Sequence, residues 1–256
     1  MEEHMIKMIM HGCNGAMGQT ITQIAAEDEN IAIVAGIDPN HTRQNPYPVF
    51  PSLEACDVKA DVIVDFTSAK AVDGLLDYSI REKVPVVLCT TGLSEEQNER
   101  VQKAAGQVAI LRSANMSLGV NLLIKMVKEA AQVLAGAGFD IEIVEKHHNK
   151  KVDSPSGTAL ALADSINEAM NQEYHYVSDR STKMEARDKK EIGIQSVRGG
   201  TIVGEHDVIF AGADEVITFN HTAYSKAIFA KGAVSAAKFL AEKTPGLYTM
   251  KDVVQS

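Results

Sequence analysis

Two stretches of this sequence combine residue types and spacings suited to chemistry. The first is His11-Gly12-Cys13-Asn14-Gly15-Ala16-Met17-Gly18, directly after the apolar run Ile6–Met10. Glycines spaced G-x-x-G-x-x-G let the chain bend tightly, bring backbone close to a ligand and pack a helix against a strand. The amides that open the helix can then hold a phosphate. The spacing is one residue longer than the commonest dinucleotide-binding form. Asp38 stands 20 residues beyond Gly18, at the end of the next apolar run, where an acid accepts from the adenosine ribose hydroxyls. A ligand-free glycine turn, and an Asp that only serves the turn at Pro39, are the plain alternatives. A strand before the turn and a helix after it favour a dinucleotide. A carboxylate at position 38 repels the 2′-phosphate of NADPH, and the nearest cations are His41 and Arg43. NADH is therefore the expected cofactor, with use of NADPH as the alternative.

The second stretch is Glu145-Lys146-His147-His148-Asn149-Lys150-Lys151-Val152-Asp153-Ser154-Pro155-Ser156-Gly157-Thr158-Ala159. Five of the six residues from Lys146 to Lys151 can carry positive charge. The run ends a strand and leads into Ser-Gly-Thr at the start of a helical pattern, where the amides of Gly157 and Thr158 and the Thr158 hydroxyl can bind a carboxylate. Histidine is the usual acid or base near neutral pH, and lysine adds a fixed cation and a proton donor. A solvated basic surface, a metal-binding His-His pair and a plain capped helix start are the competing readings. No further Cys or His at ligand spacing completes a metal site, so none is expected. A pocket for a small dicarboxylate accounts best for cations set beside an anion-binding helix end.

These residues need elements to hold them. Strand-length apolar runs at Ile6–Met10, Ile31–Ile37, Asp61–Phe66, Val84–Cys89 and Val108–Leu111 alternate with helical periods at Ala16–Glu29, Ala69–Arg81 and Ser94–Ala105. That alternation predicts βαβ units in a doubly wound, Rossmann-type parallel sheet. After Ser117 the pattern changes to α+β. Helices are expected over Gly119–Leu134 and Gly157–Met170, with strands at Phe139–Glu142, Ile192–Val197, Glu205–Ala211 and Glu215–His221. The polar stretch Tyr174–Lys190 reads as an exposed loop or excursion, and the small-residue helix Ser225–Glu242 as one that returns to the first domain. The expected division is 1–117 with 226–256 for the dinucleotide, and 118–225 for the substrate and for oligomerisation.

Composition narrows the partners. A chain of 256 residues with 25 Lys+Arg against 34 Asp+Glu carries a net charge of −9, whereas nucleic-acid binders of this size are usually basic. Apolar runs such as Val84–Cys89 are far shorter than the ~20 residues of a membrane span. Neither nucleic acid nor membrane is expected as a partner. The acidic start Met1-Glu2-Glu3-His4 suits neither a secretory nor a mitochondrial leader, and Met5 offers an alternative start. Cys13, Cys56 and Cys89 show no paired spacing, so a reducing, cytoplasmic location is expected.

With these motifs in hand, the sequence resembles the dihydrodipicolinate reductases of the diaminopimelate route to lysine, over essentially its whole length. Gly12–Gly18 is similar to that family's G-x-x-G-x-M-G turn, Asp65-Phe66-Thr67 to its D-F-T and Cys89-Thr90-Thr91-Gly92 to its G-T-T-G segment. Ala114-Asn115-Met116-Ser117 resembles A-N-F-S, and Glu145–Ala159 resembles E-x-H-H-x-x-K-x-D-x-P-S-G-T-A. Arg198–His206 is a further familiar stretch. The resemblance implies proton transfer by His147 and Lys151 and substrate binding by His148, Gly157 and Thr158. It places cofactor contacts at Gly12, Cys13, Asn14, Gly15, Ala16, Met17, Asp38, Cys89, Thr90, Thr91, Ser113, Ala114, Asn115 and Met116. It further implies reduction of a cyclic imine dicarboxylate by NAD(P)H in a homotetramer. Cys89 stands for the usual Gly, Met116 for Phe and Ser154 for Ala, and Pro39 occupies the place where many relatives carry Arg. A dinucleotide-sensing regulator of the same fold, which would need only the glycine turn, is the rival from another class.

Overall fold

The computed structural model describes residues 5–40 and 43–256. Two compact units emerge: the described residues up to Leu118 together with Ala227–Ser256, and Gly119–Lys226.

The first unit is built on a seven-stranded sheet whose strand pairs are all parallel. Its strands are β1 (Ile6–His11), β2 (Ile31–Ile37), β3 (Val49–Phe50), β4 (Val62–Asp65), β5 (Val86–Leu88), β6 (Ala109–Arg112) and β12 (Gly246–Tyr248). Read across the sheet, the order β3-β2-β1-β4-β5-β6-β12 reverses between β1 and β4, as in dinucleotide-binding sheets. The strands are apolar on both sides because both faces are covered. One face packs with α1 (Ala16–Ala26) and α6 (Ala227–Leu240), burying Met8, Met10, Val64, Ala233 and Ala237. The other packs with α2 (Ala69–Glu82) and α3 (Glu95–Ala105), burying Ile9, Ile63, Leu75 and Val101. The small residues of α6 permit close approach; a Cβ on Gly232 would lie 1.6 Å from the Met116 carbonyl oxygen. Ser94 and Gln97 form the capping box that starts α3.

The second unit is a mixed five-stranded sheet in the order β11-β10-β7-β9-β8. Its strands are β7 (Asp140–His147), β8 (His175–Val177), β9 (Glu191–Arg198), β10 (Gly204–Ala211) and β11 (Val216–Ala223). Two helices, α4 (Leu118–Leu134) and α5 (Gly157–Ala169), cover one face of it. The chain closes in the first unit with α7 (Met250–Gln255).

The stretch Tyr174–Lys190 is largely exposed but is not wholly irregular. It contributes β8 to the sheet edge, and two arginines dock the remainder. Arg180 pairs with Glu191, while Arg187 Nη2 donates to the carbonyls of Ile141 and Glu191. Strand β7 runs from Asp140 to His147, joining the alternating stretch that reaches Glu142 to the strand end expected at the basic run. Among the described residues no helix is long and apolar enough to cross a membrane. Met1–His4 and His41 lie outside the described residues.

Candidate active site and cofactor cradle

In the first unit, the glycine turn joins β1 to α1. Gly12 adopts φ +85°, a left-handed conformation that glycine tolerates and other residues resist. A Cβ on Gly18 would stand 2.3 Å from the Gly12 carbonyl oxygen, so only glycine lets α1 start this close to the turn. Gly15 is the N-cap of α1, and no side chain caps the helix amides. Gly15 and Ala16 are exposed there. An uncapped, exposed helix start beside a left-handed glycine fits the pyrophosphate of a dinucleotide.

Asp38 lies just past β2 and is tied to this turn. Its Oδ2 accepts from the Asn14 amide at 3.0 Å and its Oδ1 from the Asn40 amide at 2.9 Å, while Asn14 Nδ2 donates to the Asn40 carbonyl. Asp38 therefore shapes the turn in addition to presenting a carboxylate. The Cys13 side chain is buried; burial and the nearby Asp38 push its thiol up to about 11, leaving its backbone as what it can offer a ligand. Met17 packs against the core.

The other expected cofactor residues differ among themselves. Thr91 and Ala114 are exposed, and Ser113 and Asn115 are half-buried. Thr90 is buried and directed inward. Burial, with Asp65 behind it, holds the Cys89 thiol well above its ordinary range. Met116 is buried with the first unit's core, which leaves its main chain for contacts.

In the second unit, strand alternation determines what each member of the basic run can do. Glu145 and His147 lie on the covered face of β7 with Ile141 and Ile143, and Lys146 lies on the opposite face. There Lys146 Nζ pairs with Glu205 at 2.8 Å and Asp207 at 3.1 Å. The cationic run is thus divided, and Lys146 is spent on the far side of the sheet.

On the covered face, Glu145 is 0% exposed. Arg198 closes on it with Nη2 to Oε1 at 2.6 Å and Nη1 to Oε2 at 2.7 Å, and the Ser156 amide donates to Oε1 at 3.1 Å. Burial would raise the acid, but the bonds from Arg198 and His147 outweigh it and bring the carboxyl down to about 2. An ionised carboxylate only accepts, so the 2.6 Å contact with His147 Nδ1 makes that nitrogen the donor. His147, 9% exposed, thereby turns Nε2 away from Glu145 and over Gly204, where a Cβ would come within 3.1 Å of it.

Two further groups complete this part of the unit. His206 is buried, with Nε2 3.0 Å from Ser156 Oγ and its ring edge-on to His147 at 5.1 Å. Burial, then His147, lowers it to about 4. Ser156 Oγ also caps α5 by accepting from the Ala159 amide at 3.2 Å. The backbone of Gly157 opens α5, and a Cβ there would meet no atom within 4 Å, so the helix start faces open space. Lys151 Nζ is held 2.8 Å from Asp153 Oδ1. His148 Nδ1 is buried without a hydrogen-bond partner among the described residues. None of the described residues form a group of three or more His, Cys, Asp or Glu placed to hold a metal ion.

His147, Lys151 and Gly157 stand out in the sequence, whereas the supporting roles of Glu145, Arg198, Ser156 and His206 emerge only in the fold. The one available signal was local: Glu145 two residues before His147 in a strand must share its face.

Comparison with known proteins agrees with this architecture. The family model described as dihydrodipicolinate reductase, N-terminus, matches residues 6–116, and its C-terminus counterpart matches 119–254. The 4-hydroxy-tetrahydrodipicolinate reductase of Caldanaerobacter subterraneus subsp. tengcongensis is 53% identical over 98% of this chain and 99% of its own. The enzyme of that name from Clostridium novyi is 47% identical over 98% and 99%. A solved structure, dipicolinate-bound dihydrodipicolinate reductase from Paenisporosarcina sp. TG-14, is similar with a TM-score of 0.80 and 27% identity, covering 96% of this chain and 97% of that one. With both family models matched in order along nearly its whole length, the chain belongs to the dihydrodipicolinate reductase family.

Proposed function

We propose that this chain uses a nicotinamide dinucleotide to reduce a cyclic, conjugated imine dicarboxylate of the dihydrodipicolinate type, in the diaminopimelate route to lysine. The observation that carries the reading is the Arg198–Glu145–His147 chain of bonds next to the open start of α5. A proton donor is thereby held beside amides able to take a carboxylate. The dipicolinate bound to the Paenisporosarcina reductase is a planar ring with two carboxylates, the shape such a pocket would accept.

A bound nicotinamide supplies hydride to one end of the conjugated system, and a proton must reach the other. The amides of Gly157 and Thr158, with His148, bind the substrate carboxylates and orient the ring. His147 and the Lys151 ammonium stabilise the negative charge that develops and deliver the proton. The first unit holds the cofactor through the turn Gly12–Met17, Asp38, and the 89–91 and 113–116 segments. NADH is favoured over NADPH because a carboxylate at position 38 repels a 2′-phosphate and Pro39 adds no cation. A cytoplasmic homotetramer accompanies this reading. For the association of copies the support is β11, an edge strand that exposes Val216 and Ile217. A sensor without chemistry would leave the His147–Glu145 bond and Lys151 without a task.

Dipicolinate inhibition tests the substrate class. It should compete with the imine substrate, and Gly157→Val, whose side chain would stand in open space at the helix start, should weaken it by about 10-fold or more while NADH affinity holds. Dipicolinate that leaves the rate unchanged, or inhibits Gly157→Val as strongly as the parent, would contradict the assignment.

A further inference from the structure

At the carboxyl end of the first unit's sheet, one buried carboxyl group gathers three segments. Asp65, the last residue of β4, is 0% exposed and stands in register with His11, the last residue of β1. Strand order reverses between these two strands, which is where open α/β sheets bind ligands. Asp65 Oδ1 accepts from Thr67 Oγ1 at 2.7 Å and lies 2.9 Å from His11 Nδ1, and Oδ2 accepts from Thr90 Oγ1 at 2.6 Å. Thr90 Oγ1 in turn accepts from the Thr67 amide at 3.2 Å. The Thr90 hydroxyl is therefore engaged within the protein, and the 89–91 loop is left to meet a ligand with its main chain and the exposed Thr91.

Stability alone does not call for this arrangement. Burying a carboxyl group is unfavourable unless its bonds are met, and an apolar residue like the neighbouring Val64 would fill a core position at less cost. What the carboxyl group adds is a fixed relation between loops. The segment it holds also abuts the glycine turn, since a Cβ on Gly12 would stand 2.6 Å from the Phe66 carbonyl oxygen. Asp38, at the end of β2, marks the adenosine side of the sheet, so β4 and β5 lie on the side reached by the rest of the dinucleotide.

We infer that Asp65 is a positioning residue for the nicotinamide half of the cofactor: it fixes the main chain of the 89–91 loop against the turn at Gly12 through the Thr90 and Thr67 hydroxyls. This rests on the dinucleotide reading of the first unit. The test is NADH binding to the full chain, followed by the fluorescence of the bound nucleotide, in the parent, Asp65→Asn, Thr67→Val and Thr67→Ser, with thermal melts as a folding control. Thr67→Val keeps the side-chain shape and removes one donor to Asp65; Thr67→Ser keeps the donor.

Loss of one charge-assisted bond should weaken NADH binding by about 10-fold in Thr67→Val, and by at least that in Asp65→Asn. Thr67→Ser should stay within about 2-fold of the parent, and KM for the dicarboxylate should not move in Thr67→Val. Parent-like NADH affinity in Thr67→Val, or equal losses in the Val and Ser variants, would overturn the proposal. Should Asp65→Asn fail to fold, the Val and Ser pair decides. A parent chain that binds neither NADH nor NADPH would overturn the dinucleotide reading itself, and this proposal with it.

Discussion

His147 Nδ1 lies 2.6 Å from Glu145 Oε2, and the two side chains leave the same face of one strand two residues apart. The strand repeat sets them side by side, and Arg198 from the neighbouring strand keeps the acid ionised. His147 therefore has one orientation and, when neutral, one tautomer.

Glu145→Gln should leave the protein folded, since an amide can still bond Arg198 in part, but it can turn its NH₂ toward His147. We expect kcat to fall about 10²-fold with little change in the KM for NADH. In ¹⁵N spectra the His147 Nδ1–H tautomer of the parent should be lost. A parent-like tautomer and rate would remove Glu145 from this role.

Lys151→Ala should lower kcat by roughly 10²–10⁴-fold and leave NADH affinity intact. Lys151 is held by Asp153, itself half exposed, so the ion pair contributes little to stability and the loss should register in turnover with no large change in Tm. Turnover near that of the parent would exclude Lys151 from proton transfer.

The legibility of the site in the sequence followed the range of its contacts. The glycine turn, the α3 capping box and the helix start at Gly157 depend on neighbours within a few residues, and their patterns declared them. The apolar alternation of β7 is legible only to Glu142, because Glu145 and His147 put polar groups on the buried face. What permits this is Arg198, 53 residues away from Glu145, together with the Ser156 amide. Asp65 was visible as part of a motif, but the Thr90 bond that explains it crosses 25 residues. The strands β3, β8 and β12 have two or three residues each and no readable period; the sheet edge beside them supplies their order. Likewise α1 stops at Ala26, three residues short of Glu29, where Asp28 takes up bonds from Lys238 and the Asn30 amide.

His206 predicts a pH dependence of stability. Its folded-state value of about 4 lies below the ordinary 6.5, so on acidification the unfolded chain takes up this proton first. Stability should be complete above about pH 6.5 and decline as the pH falls toward 4, by about 3 kcal/mol from this group. Tm measured across that window should drop in the parent and drop less in His206→Gln, which can still bond Ser156. Parallel curves for the two proteins would refute the assignment.

Asp38 should govern cofactor choice. Asp38→Ser removes the charge facing a 2′-phosphate and should lower the NADH-to-NADPH ratio of kcat/KM by about 10-fold. Because Asp38 also holds the Asn14 amide, some loss with both cofactors should accompany the shift. An unchanged ratio would place discrimination elsewhere.

Turnover itself decides whether this chain is the reductase its site describes. Substrate generated from pyruvate and aspartate semialdehyde by a coupling synthase, then mixed with this protein and NADH, should give cofactor oxidation that depends on both the synthase and this chain. Oxidation of neither NADH nor NADPH under those conditions would contradict the assigned reaction.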